Sequence, residues 1–180
     1  TKLMKNSLTF LLLLSFGFVC AENWPAWRGA DASGAVESGD YPAELNQNGN
    51  LFWKLPLPEK GCSTPVVWEN SIFLTSPVNG KDAVLGFSIN GEQVWQTTIG
   101  PERKGKHLNG SGSNPSVVTD GSNLYALFKS GNLACLNMDG KILWKKDLSS
   151  YGKDTLYWDF GTSPMLSNEH LIVALMRKGN

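Results

Sequence analysis

The chain has 180 residues, with 16 basic and 16 acidic side chains and a 41% hydrophobic content that includes seven tryptophans. This neutral balance offers no broad basic surface, which argues against nucleic acid or an anionic membrane as the main partner. The one cationic cluster, Arg103-Lys104-Gly105-Lys106-His107, reads as a solvated loop.

Lys2 and Lys5 precede an apolar run from Leu8 to Val19, and Val19-Cys20-Ala21 closes it with small residues. That is the layout of a signal peptide over 1–21, with cleavage expected after Ala21 and a secreted or periplasmic mature chain. The run is shorter than the roughly 20 residues of a membrane span, so no transmembrane span is expected in the mature chain. Met4 is a better start than Thr1, which points to a chain clipped at its N-terminus. A lipoprotein site at Cys20 fits less well, because Gly17-Phe18-Val19 departs from the usual lipobox. Removing the segment leaves 14 basic against 16 acidic residues, a net charge of −2. Two cysteines remain. Cys62 and Cys135 either pair in an oxidising compartment, or Cys135 serves as a small buried hydrophobe in its apolar strand pattern.

Residues 22–50 lack periodicity and form a non-repeat lead-in. Trp24 and Trp27 of Trp24-Pro25-Ala26-Trp27-Arg28-Gly29 are expected to pack on the body that follows. A motif then recurs: Asn48-Gly49-Asn50-Leu51-Phe52-Trp53, Asn90-Gly91-Glu92-Gln93-Val94-Trp95 and Asp139-Gly140-Lys141-Ile142-Leu143-Trp144. The tryptophans stand 42 and 49 residues apart, a period that signals a repeat architecture. Asn-Gly and Asp-Gly favour two-residue hairpin turns with positive φ at both positions. Each is followed by a strand that carries the tryptophan.

Between these motifs the chain reads as short strands and tight turns. A first unit, 62–99, has strands over 63–68, 71–76, 83–89 and 93–97, with turns at Glu69-Asn70 and Asn90-Gly91 and a loop at Asn79-Gly80-Lys81-Asp82. A second, 113–148, has strands over 114–119, 123–128, 133–137 and 142–144. A third begins at 161 with strands over 161–166 and 171–175. Prolines at 65, 115 and 164 keep the period. No helical periodicity follows residue 21. A single meander sheet cannot bury two faces; stacking such sheets radially can. The predicted fold is all-β: a β-propeller of four-stranded antiparallel blades, with about three blades in this chain. A β-sandwich would need Greek-key crossings and has no use for one fixed tryptophan per unit.

Cys135-Leu136-Asn137-Met138-Asp139-Gly140-Lys141-Ile142-Leu143-Trp144 resembles the Ala-Leu-Asp-x-x-Thr-Gly-Lys-x-x-Trp repeat of pyrroloquinoline-quinone-like (quinoprotein alcohol-dehydrogenase-like) β-propellers, one residue shorter and with Asn137 for the aspartate. Phe87 to Trp95 is a weaker copy. The opening Trp24 to Gly29, with Gly61-Cys62-Ser63-Thr64-Pro65-Val66-Val67, is similar to secreted members common in planctomycete-type bacteria. The resemblance implies that Trp53, Trp95 and Trp144, with Gly91 and Gly140, are structural anchors between blades. It also implies that 51–57 is a ring-closing strand that completes the last blade. Seven or eight blades are usual, and the chain ends at Lys178-Gly179-Asn180 within a hairpin turn, so a truncated ring is expected: blades over 62–99 and 113–148 and a partial blade over 161–180.

Three functions are compatible with the resemblance: a non-catalytic binding or scaffold module like the related outer-membrane assembly factors, a quinone-dependent dehydrogenase acting on an alcohol or sugar, or the sensing part of a larger extracellular system. The dehydrogenase needs a quinone on a tryptophan face, a cation held by Glu, Asn and Asp, and an Asp base. The acidic residues Asp82, Glu92, Asp120 and Asp139 read instead as turn residues, and the shortened repeats match the non-catalytic branch. The reading is therefore a binder of a protein, small molecule or carbohydrate at the propeller face, without evident cofactor; pyrroloquinoline quinone with calcium belongs to the dehydrogenase alternative. Candidate rim residues lie in the inter-unit loops, where propellers bind: His107 and Asn109 before unit two, Trp158 and Asp159 before unit three. Either they contact a ligand, or His107 caps its loop while Trp158 and Phe160 seal the blade. His170 is expected to be exposed. Zinc spacing, a phosphate-binding glycine loop and a Gly-x-Ser-x-Gly nucleophile motif do not occur.

Overall fold

The computed structural model describes residues 22–36, 39, 41–46, 49–152, 155 and 157–175. The expected signal peptide, 1–21, lies outside these residues. In chain order come β1 (Val66–Trp68), β2 (Ser71–Val78), β3 (Lys81–Ser88), β4 (Gln93–Pro101), β5 (Val118–Thr119), β6 (Asn123–Leu127), β7 (Asn132–Asn137), β8 (Ile142–Asp147), a 3-10 turn at Ser149–Tyr151, β9 (Met165–Ser167) and β10 (His170–Ile172). They form two four-stranded antiparallel meanders, β1-β2-β3-β4 and β5-β6-β7-β8, and the hairpin β9-β10. These are two β-propeller blades and the opening of a third; they do not close a ring. Among the described residues no helix is long and apolar enough to cross a membrane, which says nothing of a β-barrel.

The sequence pattern explains the layering. In β2 and β3 nearly every residue is buried, because both faces of the first sheet are covered. The outer strand β8 is mostly exposed. The main core lies in the seam between the two sheets, where Val66, Phe73, Val84 and Ile99 meet Leu124, Ala126, Phe128 and Leu136. Leu127, Leu133, Leu148 and Phe160 carry a second seam toward Leu171, Val173 and Leu175 of the third unit.

The lead-in clasps the inner edges of both sheets. Trp24 and Val67 exchange two backbone hydrogen bonds of 2.8 and 2.9 Å, and the Thr119 amide donates to the Pro25 carbonyl at 2.9 Å. Trp24 is half-buried as expected, whereas Trp27 is 56% exposed and lies against Arg28. Its ring faces a groove and not the core.

The tryptophan motif is a connector. The Trp95 indole N–H donates to the Met138 carbonyl of the next sheet at 3.0 Å. Trp53 repeats the contact one unit earlier, donating to the Ile89 carbonyl at 2.9 Å. Each ring covers the glycine two residues after that carbonyl, and a Cβ on Gly140 or Gly91 would stand 2.5 Å from the Trp95 or Trp53 ring. The glycines have φ of +81° and +84°, so both the turn and the close approach require them. Trp144 packs with Tyr125 at 6.2 Å between ring centroids and stays 37% exposed.

Three expectations are corrected. Asn90-Gly91 and Asp139-Gly140 do not form two-residue turns. Ser88 bonds to Glu92, and Asn137 to Lys141, around three-residue loops whose glycine alone has positive φ, the bulged hairpin class. The expected loop over 79–82 is instead a two-residue turn at Asn79-Gly80, with φ of +50° and +72°, and Lys81 and Asp82 belong to β3. Residues 51–57 form no strand. Trp53 ties the segment to the β3–β4 turn by its side chain, and residues 51–57 join no backbone ladder.

Candidate functional site

An antiparallel meander sends alternate turns to opposite ends. The β2–β3 and β6–β7 turns share one end with the inter-unit loops 102–117 and 148–164, and the expected rim residues lie there.

The centre of this end is Asp159. Its carboxylate forms an ion pair with the Lys129 ammonium, and the two side chains are 5% and 1% exposed. Asp159 also accepts from the backbone amides of Lys106 at 2.7 Å and His107 at 2.8 Å. The Lys129 ammonium donates to the Lys104 carbonyl at 3.0 Å as well. One pair thus joins the β6–β7 turn to both inter-unit loops. A buried charge needs such a partner and such hydrogen bonds. Burial alone would raise the Asp159 pKa; the Lys129 ammonium and the His107 and Lys106 amides outweigh it and bring it down to about 2. Gly110 passes so close that a Cβ there would be 2.5 Å from the carboxylate.

On this support stands an exposed aromatic group. The His107 and Trp158 rings are 5.9 Å apart, and Tyr157 meets Trp158 edge-on at 4.9 Å. Tyr157 is 81% and Trp158 65% exposed. With Lys106 and Thr155 they line an open cleft of about 490 Å³. His107 Nδ1 accepts from the Asn109 amide at 3.2 Å. The structure brings together His107, Trp158 and Asp159. Asn109 meets them through its backbone: its amide donates to His107, and its carbonyl accepts from the Cys62 thiol at 3.1 Å. Cys62 and Cys135 are both free thiols, one exposed and one buried. Cys135 stands opposite Trp144 in the β7–β8 ladder, where a small side chain leaves room for the ring. Phe160 is buried in the second seam, while Trp158 seals nothing, and His170 is exposed.

Lys129 carried no signal in the sequence; it was one lysine beside a Ser-Gly turn, 30 residues from its partner. Asp82 is the other correction. It is fully buried at the seam between the sheets and is no turn residue. Ser130 Oγ donates to its Oδ2 at 2.6 Å and Asn132 Nδ2 at 2.8 Å. Burial lifts its pKa against those two bonds, and the nearby Glu102 charge adds to the rise, to about 6.

The family model described as outer membrane protein assembly factor BamB matches residues 36–175. No curated protein matches the chain.

Proposed function

The chain belongs to the family of the outer membrane protein assembly factor BamB, and on that premise we propose that it is a secreted or periplasmic, non-catalytic scaffold that binds a partner protein through its loop end. Residues 1–21 direct export in this reading, with cleavage after Ala21. The observation that carries it is the exposed Tyr157–Trp158–His107 group on the buried Lys129–Asp159 pair. Aromatic side chains held rigid and left wet are the usual anchors of protein interfaces, and the pair removes the ordering cost of two loops before any partner arrives.

A quinone with its cation would need an aromatic face with carboxylate oxygens turned toward it. The carboxylate beside Trp158 is that of Asp159, whose oxygens face Lys129 and the loop amides. These residues do not fit that group, and no catalytic step is derived through it.

A photo-crosslinking residue in place of Tyr157, in cells that make the protein, tests the reading. The expected result is one discrete adduct with an envelope protein, lost when Trp158→Ala is added. Absence of any protein adduct overturns the partner reading. Dye-linked alcohol oxidation upon adding pyrroloquinoline quinone and calcium overturns the non-catalytic one.

A further inference from the structure

Among the described residues three buried side-chain atoms have no hydrogen-bond partner: Asp82 Oδ1, Glu102 Oε2 and Ser113 Oγ. All three are oxygens: Asp82 belongs to β3, and Glu102 and Ser113 to the loop that joins the first sheet to the second. Asp82 faces the second sheet, since its other oxygen is bound by Ser130 and Asn132. Its partner across the β3–β4 ladder is Gly100, two residues before Glu102. The Glu102 amide donates to the Gly80 carbonyl, which holds it beside the β2–β3 turn. Its Cγ lies 3.0 Å from where a Gly112 Cβ would be, next to Ser113. Thr75, on the face of the first sheet that carries Asp82, donates to the Ser113 carbonyl at 2.8 Å.

Buried polar atoms are as a rule satisfied by a partner. Here two carboxylates sit close enough for one charge to act on the other. No lysine or arginine pairs with either among the described residues, where the one ion pair is Lys129–Asp159. Such an arrangement calls for positive charge. Oxygen atoms alone, two of them on carboxylates, make a set for a hard cation such as calcium.

We propose that Asp82 and Glu102 hold a calcium ion in the seam between the first two sheets, with the Ser113 hydroxyl alongside. The ion would tie the β2–β3 turn to the loop entering the second sheet. It is a structural site, independent of the aromatic cleft and of the function proposed for it.

Calorimetric titration of the chelator-stripped full chain with calcium chloride tests this. The expected result is saturation at about one ion per chain, with a dissociation constant on the order of 10⁻⁴ to 10⁻³ M and a higher melting temperature. Asp82→Asn and Glu102→Gln should each weaken binding at least about tenfold. Glu102→Gln lies at a half-buried position, so it keeps the test usable if the Asp82 variant folds poorly. No saturation up to about 10 mM calcium, or binding that survives in both variants, overturns the proposal. So does a melting temperature that responds to acid but not to calcium, which would put a proton in that place.

Discussion

At the scale of single residues the three motif tryptophans are not equivalent. Trp95 has both its packing on Gly140 and its bond to the Met138 carbonyl, so Trp95→Ala should cost about 3–5 kcal/mol in chemical denaturation. Trp144 has the same place in its motif but is 37% exposed, and its loss should cost no more than about 1–2 kcal/mol. Equal losses at both positions would refute the account. The two buried carboxylates pull the pH dependence in opposite directions. Asp159 is held below its ordinary 3.8, so its stabilisation is present above about pH 4 and is lost as pH falls toward 2. Asp82 is raised to about 6, so the folded state binds its proton more tightly than the unfolded state does. Without calcium, its contribution is complete below about pH 4 and is lost as pH rises through 6. Melting curves in chelator across pH 4–7 should show this decline, and Asp82→Asn should flatten it.

Among the elements, the loops at the cleft depend on one pair. Lys129→Met leaves Asp159 buried without its cation, which should free the 102–114 loop before it disturbs either sheet. Limited trypsin digestion should then cut after Arg103, Lys104 or Lys106 much faster than in the parent chain, while near-ultraviolet circular dichroism changes little. Unchanged cleavage would mean the loop is held elsewhere. Strands and turns were legible because alternation and Asn-Gly or Asp-Gly punctuation are local signals, and the observed bounds of β2, β3 and β7 follow the pattern closely. The turn class at Gly91 and Gly140 was not, because the same dipeptide serves two-residue and three-residue loops and the strand register decides between them. The rim loops were legible by their place between units, but their support was not. Lys129 meets Asp159 through chain tracing over a whole unit, and Asp82 looked like a turn acid only because it follows Asn79-Gly80 by two residues.

For the molecule as a whole, several large apolar side chains stay in water: Phe52 is 98%, Val94 67%, Met165 53% and Leu143 51% exposed, and open apolar surface favours association. Residues 22–180, expressed alone, should associate with rising concentration by light scattering and melt broadly. A monodisperse species of one-chain mass with a sharp melt would refute this. The tryptophan connector also gives the molecule a direction in time. Each anchor precedes the turn that receives it, Trp53 by 36 residues to Ile89 and Trp95 by 43 to Met138. As the chain leaves the ribosome, the ring is therefore already outside when its glycine turn emerges. The second sheet thus meets a waiting latch on the first, and the first meets one on the segment before it, so these two dockings can follow the order of synthesis.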